Sequence, residues 1–247
     1  MTKAKEPKVQ TFIRTPVTQR EILISNAIVR SAQGLSLAEK RIIFLALAQL
    51  GGVNRETKIY ATEYASIFGV DNDTAYRQLK EASKSLFHRY LRWHHTDGKD
   101  KGLVEYCHWV EAFGYKDAEG YSVLHFTEKI SPFLFQLKSE FTKYRLEQAG
   151  ALRSVHSWRL LELLERMRTE RGDGWLMVSI EDFWHAMEAS PSYRTNFNLL
   201  RVKVIEPSVS ELIEKDNWLI EWEPLKRGRR VAALRFNFEK NPQQRLI

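Results

Sequence analysis

Two separate stretches of this chain carry one pattern. Lys58–Phe68 and Met177–Met187 each run from a short β-type segment straight into a helix, with aromatic and apolar residues at matching places. Further on, Glu81-Ala82-Ser83-Lys84-Ser85-Leu86 is echoed by Glu206–Leu212, after a longer turn in the second copy. Such a repeat constrains architecture more than local propensity does, because each copy must close the same unit.

The unit can be read from its punctuation. In the first copy Ser36 and Glu39 form a capping-box pattern opening an apolar helix over Leu37–Leu50, which Gly51-Gly52 ends. A strand over Lys58–Ala61 leads into a helix capped by Thr62 and stopped by Gly69, and Asp71-Asn72-Asp73 start a second helix running to Phe87. Strand-like Tyr90–His95 and Leu103–Phe113 flank a polar turn and form a hairpin, and Tyr121–Phe126 is a further strand. Ser131-Pro132 opens a short helix to about Leu137.

The second copy has a long amphipathic helix from Ser154 to Met167, a strand over Leu176–Ile180 and a helix over Glu181–Met187. Ser190-Pro191-Ser192 set the entry to a helix over Asn196–Ile205, where Phe197, Leu200, Val204 and then Ser208 or Leu212 share a buried face. Pro207 predicts a kink or break after Glu206. Trp218–Trp222 and Val231–Phe238 pair as strands through a turn at Gly228. Helix, strand, helix, helix, hairpin is the winged-helix order. The expected fold class is therefore α+β: two tandem winged-helix domains with pseudo-twofold internal duplication. Residues 1–25 are expected as a flexible basic tail, 26–140 as the N-terminal winged-helix domain, 141–152 as a linker and 153–247 as the C-terminal domain, with Glu21–Ser31 able to form a short helix.

Lys and Arg number 38 against 31 Asp and Glu, a formal charge of +7, which suits a polyanionic partner. The single cysteine, Cys107, excludes an internal disulfide and a cysteine-based zinc cluster, and fits a reducing cytoplasm. No apolar run approaches a membrane span and the N-terminus is polar, so a cytoplasmic protein without a membrane partner is expected.

On the second-copy helix the polar side carries Arg194, Thr195, Asn198, Arg201 and Lys203. In a major groove, Arg can grip guanine bidentately and Asn can grip adenine. Arg201 and Asn198 are thus candidate base readers, with Arg194 and Thr195 nearby. Lys203, two positions from Arg201, cannot share its line and suits phosphate. The hairpin tip offers Lys226, Arg227, Arg229 and Arg230 to phosphates or a narrow minor groove. In the first domain Thr74, Arg77, Lys80 and Lys84 face one way, with Arg92, Lys99 and Lys101 on the hairpin. A solvated face is the plain alternative for that stripe.

Catalytic patterns are missing. His94 and His95 are adjacent, so on a strand they point to opposite faces and cannot chelate one ion, as a rolling-circle nickase would require. There is no phosphate-binding Gly-x-x-x-x-Gly-Lys loop. No enzyme, cofactor or metal is expected. A transcriptional repressor of the same fold is the other non-enzymatic reading.

Leu35–Arg41, Tyr64–Gly69, Phe141–Leu146, Ser157–Leu164, and Ser192-Tyr193 leading to Val204–Pro207 and Glu211-Leu212 carry a resemblance. In that order and spacing the chain resembles the replication initiators of iteron-containing theta-replicating plasmids, of which the F plasmid initiator is a member. The resemblance implies a C-terminal winged helix reading iteron repeats and an N-terminal one that meets phosphates in the monomer or forms a homodimer. Monomers would open the origin with the host initiator and replicative helicase, and dimers would repress the initiator's own gene from its operator, controlling copy number. Asn196 and Leu199-Leu200 depart from relatives that are more basic there. That puts the base code in doubt and leaves the docking mode intact.

Overall fold

The computed structural model of the protein describes residues 16–50, 55–94, 99–135 and 140–241. The elements in chain order are β1 (Glu21–Ser25), α1 (Asn26–Arg30), α2 (Leu37–Leu50), β2 (Glu56–Tyr60), α3 (Ala61–Phe68), α4 (Asn72–Leu86), β3 (Tyr90–His94), β4 (Val104–His108), β5 (Val110–Lys116), β6 (Tyr121–Phe126) and α5 (Ser131–Leu134). Then come β7 (Phe141–Arg145), α6 (Leu146–Gly150), α7 (Val155–Glu165), β8 (Asp173–Ser179), α8 (Ile180–Ala186), α9 (Pro191–Thr195) and α10 (Phe197–Leu200). A π-helical turn (Arg201–Ile205) follows, then α11 (Glu206–Asp216), β9 (Trp218–Arg227) and β10 (Arg230–Lys240).

Local signals behave as their chemistry requires. The Ser36 N–H donates to Glu39 Oε2 at 2.7 Å and the Glu39 N–H to Ser36 Oγ at 3.3 Å, closing the capping box of α2. Asp71 caps α4 by accepting from the Thr74 N–H at 2.8 Å, and Ser154 caps α7 through the His156 N–H at 3.1 Å. At the start of α3 the cap position falls to Tyr60, and Thr62 lies inside the helix. The expected ending at Gly51-Gly52 and the residues 1–15 of the tail lie outside the described residues.

The repeat is realised as topology. One antiparallel sheet has the order β2–β6–β5 and another β8–β10–β9. In each, the strand before the helices pairs with the last strand of the following hairpin, so the chain holds two winged helices of one design. Gly174 sits where the second sheet closes: a Cβ there would meet Phe238 Cζ at 2.6 Å and the Met167 carbonyl at 2.7 Å. Only glycine fits that approach.

Three expectations are corrected. Glu21–Ser25, assigned to the flexible tail or a helix, is a strand whose partner is Phe141–Arg145, with Ile22 opposite Tyr144. The proposed linker 141–152 is accordingly not a linker in this fold: it supplies that strand and helix α6, and Tyr144, Leu146, Ala149 and Leu152 are buried. In the first domain the hairpin expected over Tyr90–Phe113 is not the wing. Trp109 is fully buried, its indole N–H donating to the Gln33 carbonyl at 3.1 Å. This anchor cuts Leu103–Phe113 into β4, which pairs with β3 as a separate two-stranded sheet, and β5, which forms the wing with β6.

The buried side chains of both halves form one connected core, and α7 is its centre, with every residue from Ser157 to Glu165 buried. It packs on its counterpart α2: the Phe44 and Trp158 rings lie 5.2 Å apart, and Lys40 Nζ meets Glu162 at 2.8 Å with both side chains fully buried. Burial pulls the Lys40 ammonium down to about 8, against the pull of Glu162. Tyr144 Oη, Gln33 and Arg159 complete this buried polar cluster. Other bonds cross between the halves. Arg153 donates to the Phe68 carbonyl at 2.8 Å, and the Gly34 N–H to Glu188 at 2.7 Å.

Candidate nucleic-acid interface

The helix of the second winged helix is built in three pieces. Pro191 opens α9, and Asn196 then leaves helical geometry and caps α10 by accepting from the Leu199 N–H at 3.1 Å. Of the kink or break expected at Pro207, a break does not occur. Pro207 has no N–H, and on an uninterrupted α-helix its ring would strike the carbonyl of Lys203. The turn before it is widened instead, the Glu206 N–H reaching back to the Arg201 carbonyl, and the helix continues into α11.

This widening explains the buried stripe. Leu200, Val204, Ser208 and Leu212 are all buried, as expected, while Phe197 is half-buried. Steps of four drift by roughly 40° each on an α-helix, and the π turn takes most of that drift back. The opposite face then presents Asn198, Arg201 and Lys203, all exposed. Arg201 Nη2 donates to Asn198 Oδ1 at 2.9 Å, and Arg201 Nε lies 3.8 Å from Glu206 Oε1. The two candidate base readers are therefore adjacent and mutually oriented. Glu206 is the neighbour that reading the sequence missed, since an Arg and a Glu five positions apart meet only across a π turn; Pro207 was its one signal. Arg194 is exposed but spends its Nε on the Ala189 carbonyl at 2.7 Å, and Thr195 bonds back to the Pro191 and Ser192 carbonyls at 3.2 Å.

At the wing, Gly228 takes a left-handed φ of 65° to turn the hairpin. Arg227 pairs directly with Arg230 across the ladder, and Lys226, Arg227, Arg229 and Arg230 are all exposed. Among the described residues none of the four has a carboxylate partner. Like charges directly opposite on two strands repel, so the tip is arranged to gain from an anion.

In the first domain, Arg77 and Lys84 of α4 are exposed and Thr74 is half-exposed. Lys80 differs: its ammonium donates to Asp117 of the wing at 3.0 Å and lies 4.3 Å from the centre of the Tyr115 ring. Tyr76 also donates to Asp117. The hydrogen bonds from Tyr76 and then Lys80 hold the Asp117 carboxyl below its usual value. The tip of this wing, Asp117–Glu119, is acidic where the second is basic. Arg92, Lys99 and Lys101 belong to the separate β3–β4 hairpin and its turn.

His108 is hydrogen-bonded to the Arg89 carbonyl at 3.1 Å, His125 faces Glu56 at 3.7 Å, and Cys107 is a buried free thiol. The side chains of His94 and His95 lie outside the described residues. Among the described residues no cluster of three or more His, Cys, Asp or Glu could hold a metal, and no helix is long and apolar enough to cross a membrane.

Comparison with known proteins agrees with the winged-helix fold. A replication initiation protein of Escherichia coli is 25% identical over 234 residues, covering 90% of this chain and 71% of that protein. The PI protein of Escherichia coli is 23% identical over 236 residues, covering 83% and 77%. The crystal structure of Pi initiator protein in complex with iteron DNA shares the fold at a TM-score of 0.77, with 21% identity, across 91% of this chain and 99% of that one. Residues 21–165 match the family described as Initiator Replication protein, WH1, and residues 179–238 match Initiator Rep protein, WH2. Carrying both winged-helix domains over most of its length, the chain belongs to the initiator replication protein family.

Proposed function

We propose that this protein is a plasmid replication initiator that binds the iteron repeats of its own origin as a monomer. The observation that carries this reading is the second winged helix, where the oriented pair Asn198 and Arg201 stands on a helix followed by a hairpin tip of four unpaired cations. A structure of the same fold is known with iteron DNA bound. In this reading Arg201 and Asn198 meet base edges and Lys203 meets phosphate, with Arg194 and Thr195 at the margin. The wing cations Lys226, Arg227, Arg229 and Arg230 follow the backbone or a narrow minor groove. Thr74, Arg77, Lys80 and Lys84 of α4 give the N-terminal domain a second, sequence-independent contact.

The division of labour follows the same reading: dimerisation or backbone contact by the first domain, repeat recognition by the second. The exposed pair Tyr90 and Tyr106, packed edge to face at 5.2 Å, supports the β3–β4 hairpin as the surface for a homodimer. The monomer would help open the origin and engage the host initiator and replicative helicase, and the dimer would repress the protein's own gene. No catalytic step is assigned to it.

Footprinting the purified protein on its own origin tests the proposal. Protection of direct repeats spaced by about two helical turns supports an initiator, whereas protection confined to one inverted repeat in the promoter makes the protein a repressor only. Sedimentation with and without repeat DNA reads the dimer-to-monomer change. Nicking of supercoiled origin DNA with magnesium would overturn the non-enzymatic reading.

A further inference from the structure

Between the two halves lies a cleft of about 640 Å³. Helix α1 and Phe133 line it from the first half, α8 and β8 from the second, and Leu163 of α7 from between them. Much of its wall is apolar, including Ile28, Phe133, Leu163 and the exposed Met177. Two cations stand in that wall: Arg30, the last residue of α1, and Arg166, which follows α7. Both also line an adjoining hollow beside Glu140.

The two guanidinium groups are not matched by acids. Neither Arg30 nor Arg166 has a carboxylate within ion-pair distance among the described residues, and the buried Nε of Arg166 has no acceptor. Asp182, the acid that lines the cleft, is engaged by Ser179, whose hydroxyl lies 2.8 Å from Oδ2. Burial and then the nearby charge of Arg30 pull the Arg166 guanidinium below its usual value. A buried donor without an acceptor and two neighbouring like charges are both unfavourable, and an anion between them removes both penalties. Guanidinium forks suit carboxylates and phosphates in particular. The volume and the apolar wall are those of a small-molecule site, whereas a bare inorganic ion would leave most of the cleft empty.

We propose that this interdomain cleft binds a small amphiphilic anion, its carboxylate or phosphate held by Arg30 and Arg166 and its apolar part lying on Phe133, Met177 and Val178. Because the wall is drawn from both winged helices, occupancy ties the two halves to one arrangement. The ligand thereby acts on how the protein presents its two DNA-facing helices together.

Titration calorimetry on the full chain tests this with four probes: octanoate, phenyl phosphate, octanol and inorganic phosphate. Saturable one-to-one binding of octanoate or phenyl phosphate is expected, and which of the two binds tighter separates an acyl carboxylate from an organic phosphate as the source. Octanol and inorganic phosphate should bind at least about tenfold more weakly. Arg30→Gln and Arg166→Gln should each weaken the favoured anion by about tenfold while the melting temperature and repeat-DNA affinity stay near those of the parent. Arg30 is exposed, so its substitution does not endanger folding. Three results would overturn the proposal: no binding of either organic anion, octanol binding as tightly as octanoate, or anion binding indifferent to both substitutions. A loss of DNA affinity in both variants with octanoate binding intact would instead make the two arginines DNA-phosphate contacts.

Discussion

Arg201 and Glu206 face each other at 3.8 Å across a π turn, and the same guanidinium holds Asn198 at 2.9 Å. A carboxylate thus stands beside the residue proposed to read a base. Its charge orients Arg201 and opposes any approaching phosphate.

Arg201→Ala is expected to cost roughly 1–3 kcal/mol of binding on the repeats and little on scrambled duplex. Glu206→Gln should act the other way, tightening both DNAs by up to about 1 kcal/mol and narrowing the gap between them. Paired titrations on the two duplexes measure this. An equal loss on both from Arg201→Ala would reassign the residue to the backbone.

Neutralising Arg227 and Arg230 together should lower the slope of log affinity against log salt by about 2. It should also relieve the repulsion between directly opposed cations in the free protein. Affinity measured over a salt series decides, and an unchanged slope removes the wing from the interface.

On α4 the cations are not equivalent. Arg77→Ala and Lys84→Ala should each take about 1 from the salt slope, whereas Lys80→Ala should change it less because Asp117 already neutralises that ammonium. Asp117→Asn frees Lys80 and removes an acid from the wing, so it should raise non-specific affinity. A larger effect from Lys80 than from Arg77 would contradict this ordering.

Glu162→Gln leaves the fully buried Lys40 charge without its counterion, and a loss of roughly 3–5 kcal/mol of stability is expected. Replacing both residues by apolar ones of similar volume should recover most of that loss. Denaturant melts of the single and double variants read the difference, and a mild single variant would mean that the Gln33 side-chain oxygen already satisfies the ammonium.

Acid stability should report on Glu39. Burial alone would raise its pKa, but hydrogen bonds from Ser85, the Ser36 N–H and Arg89 outweigh it, and the folded value lies below 4.5. A group depressed on folding stabilises above its unfolded value and loses that contribution as pH falls through the folded one. Stability should therefore drop below pH 4.5 more steeply in the parent than in Glu39→Gln. Parallel melts at falling pH compare the two.

What could be read from the residues was local. Ser36 with Glu39, Asp71 and Ser154 announce their helices because cap and helix lie within a turn of each other, and the Leu200–Leu212 stripe announces its buried face through spacing. The pairing of Ile22 with Tyr144 joins segments at opposite ends of one domain, and no turn residue signals it. The first wing was hidden because Leu103–Phe113 reads as one strand; only the burial of Trp109, a tertiary fact, cuts it in two. At the candidate interface, residue types alone supplied the cations of both helices and the basic wing. The partners Glu206 and Asp117 emerge only from the widened turn and the true strand pairing.

Helix α7 has a consequence for how such a chain can change over time. The two winged helices look like beads that recombination could exchange, yet α7 stands between their sheets in the chain with every residue from Ser157 to Glu165 buried in the shared core. A crossover between related chains that brought in a foreign α7 would inherit a mismatched Lys40 and Phe44 surface. One that left it behind would strand the incoming half. Exchange is therefore penalised on either side of α7, so the two winged helices are bound to diversify at their DNA-facing surfaces by point substitution while staying coupled through one helix.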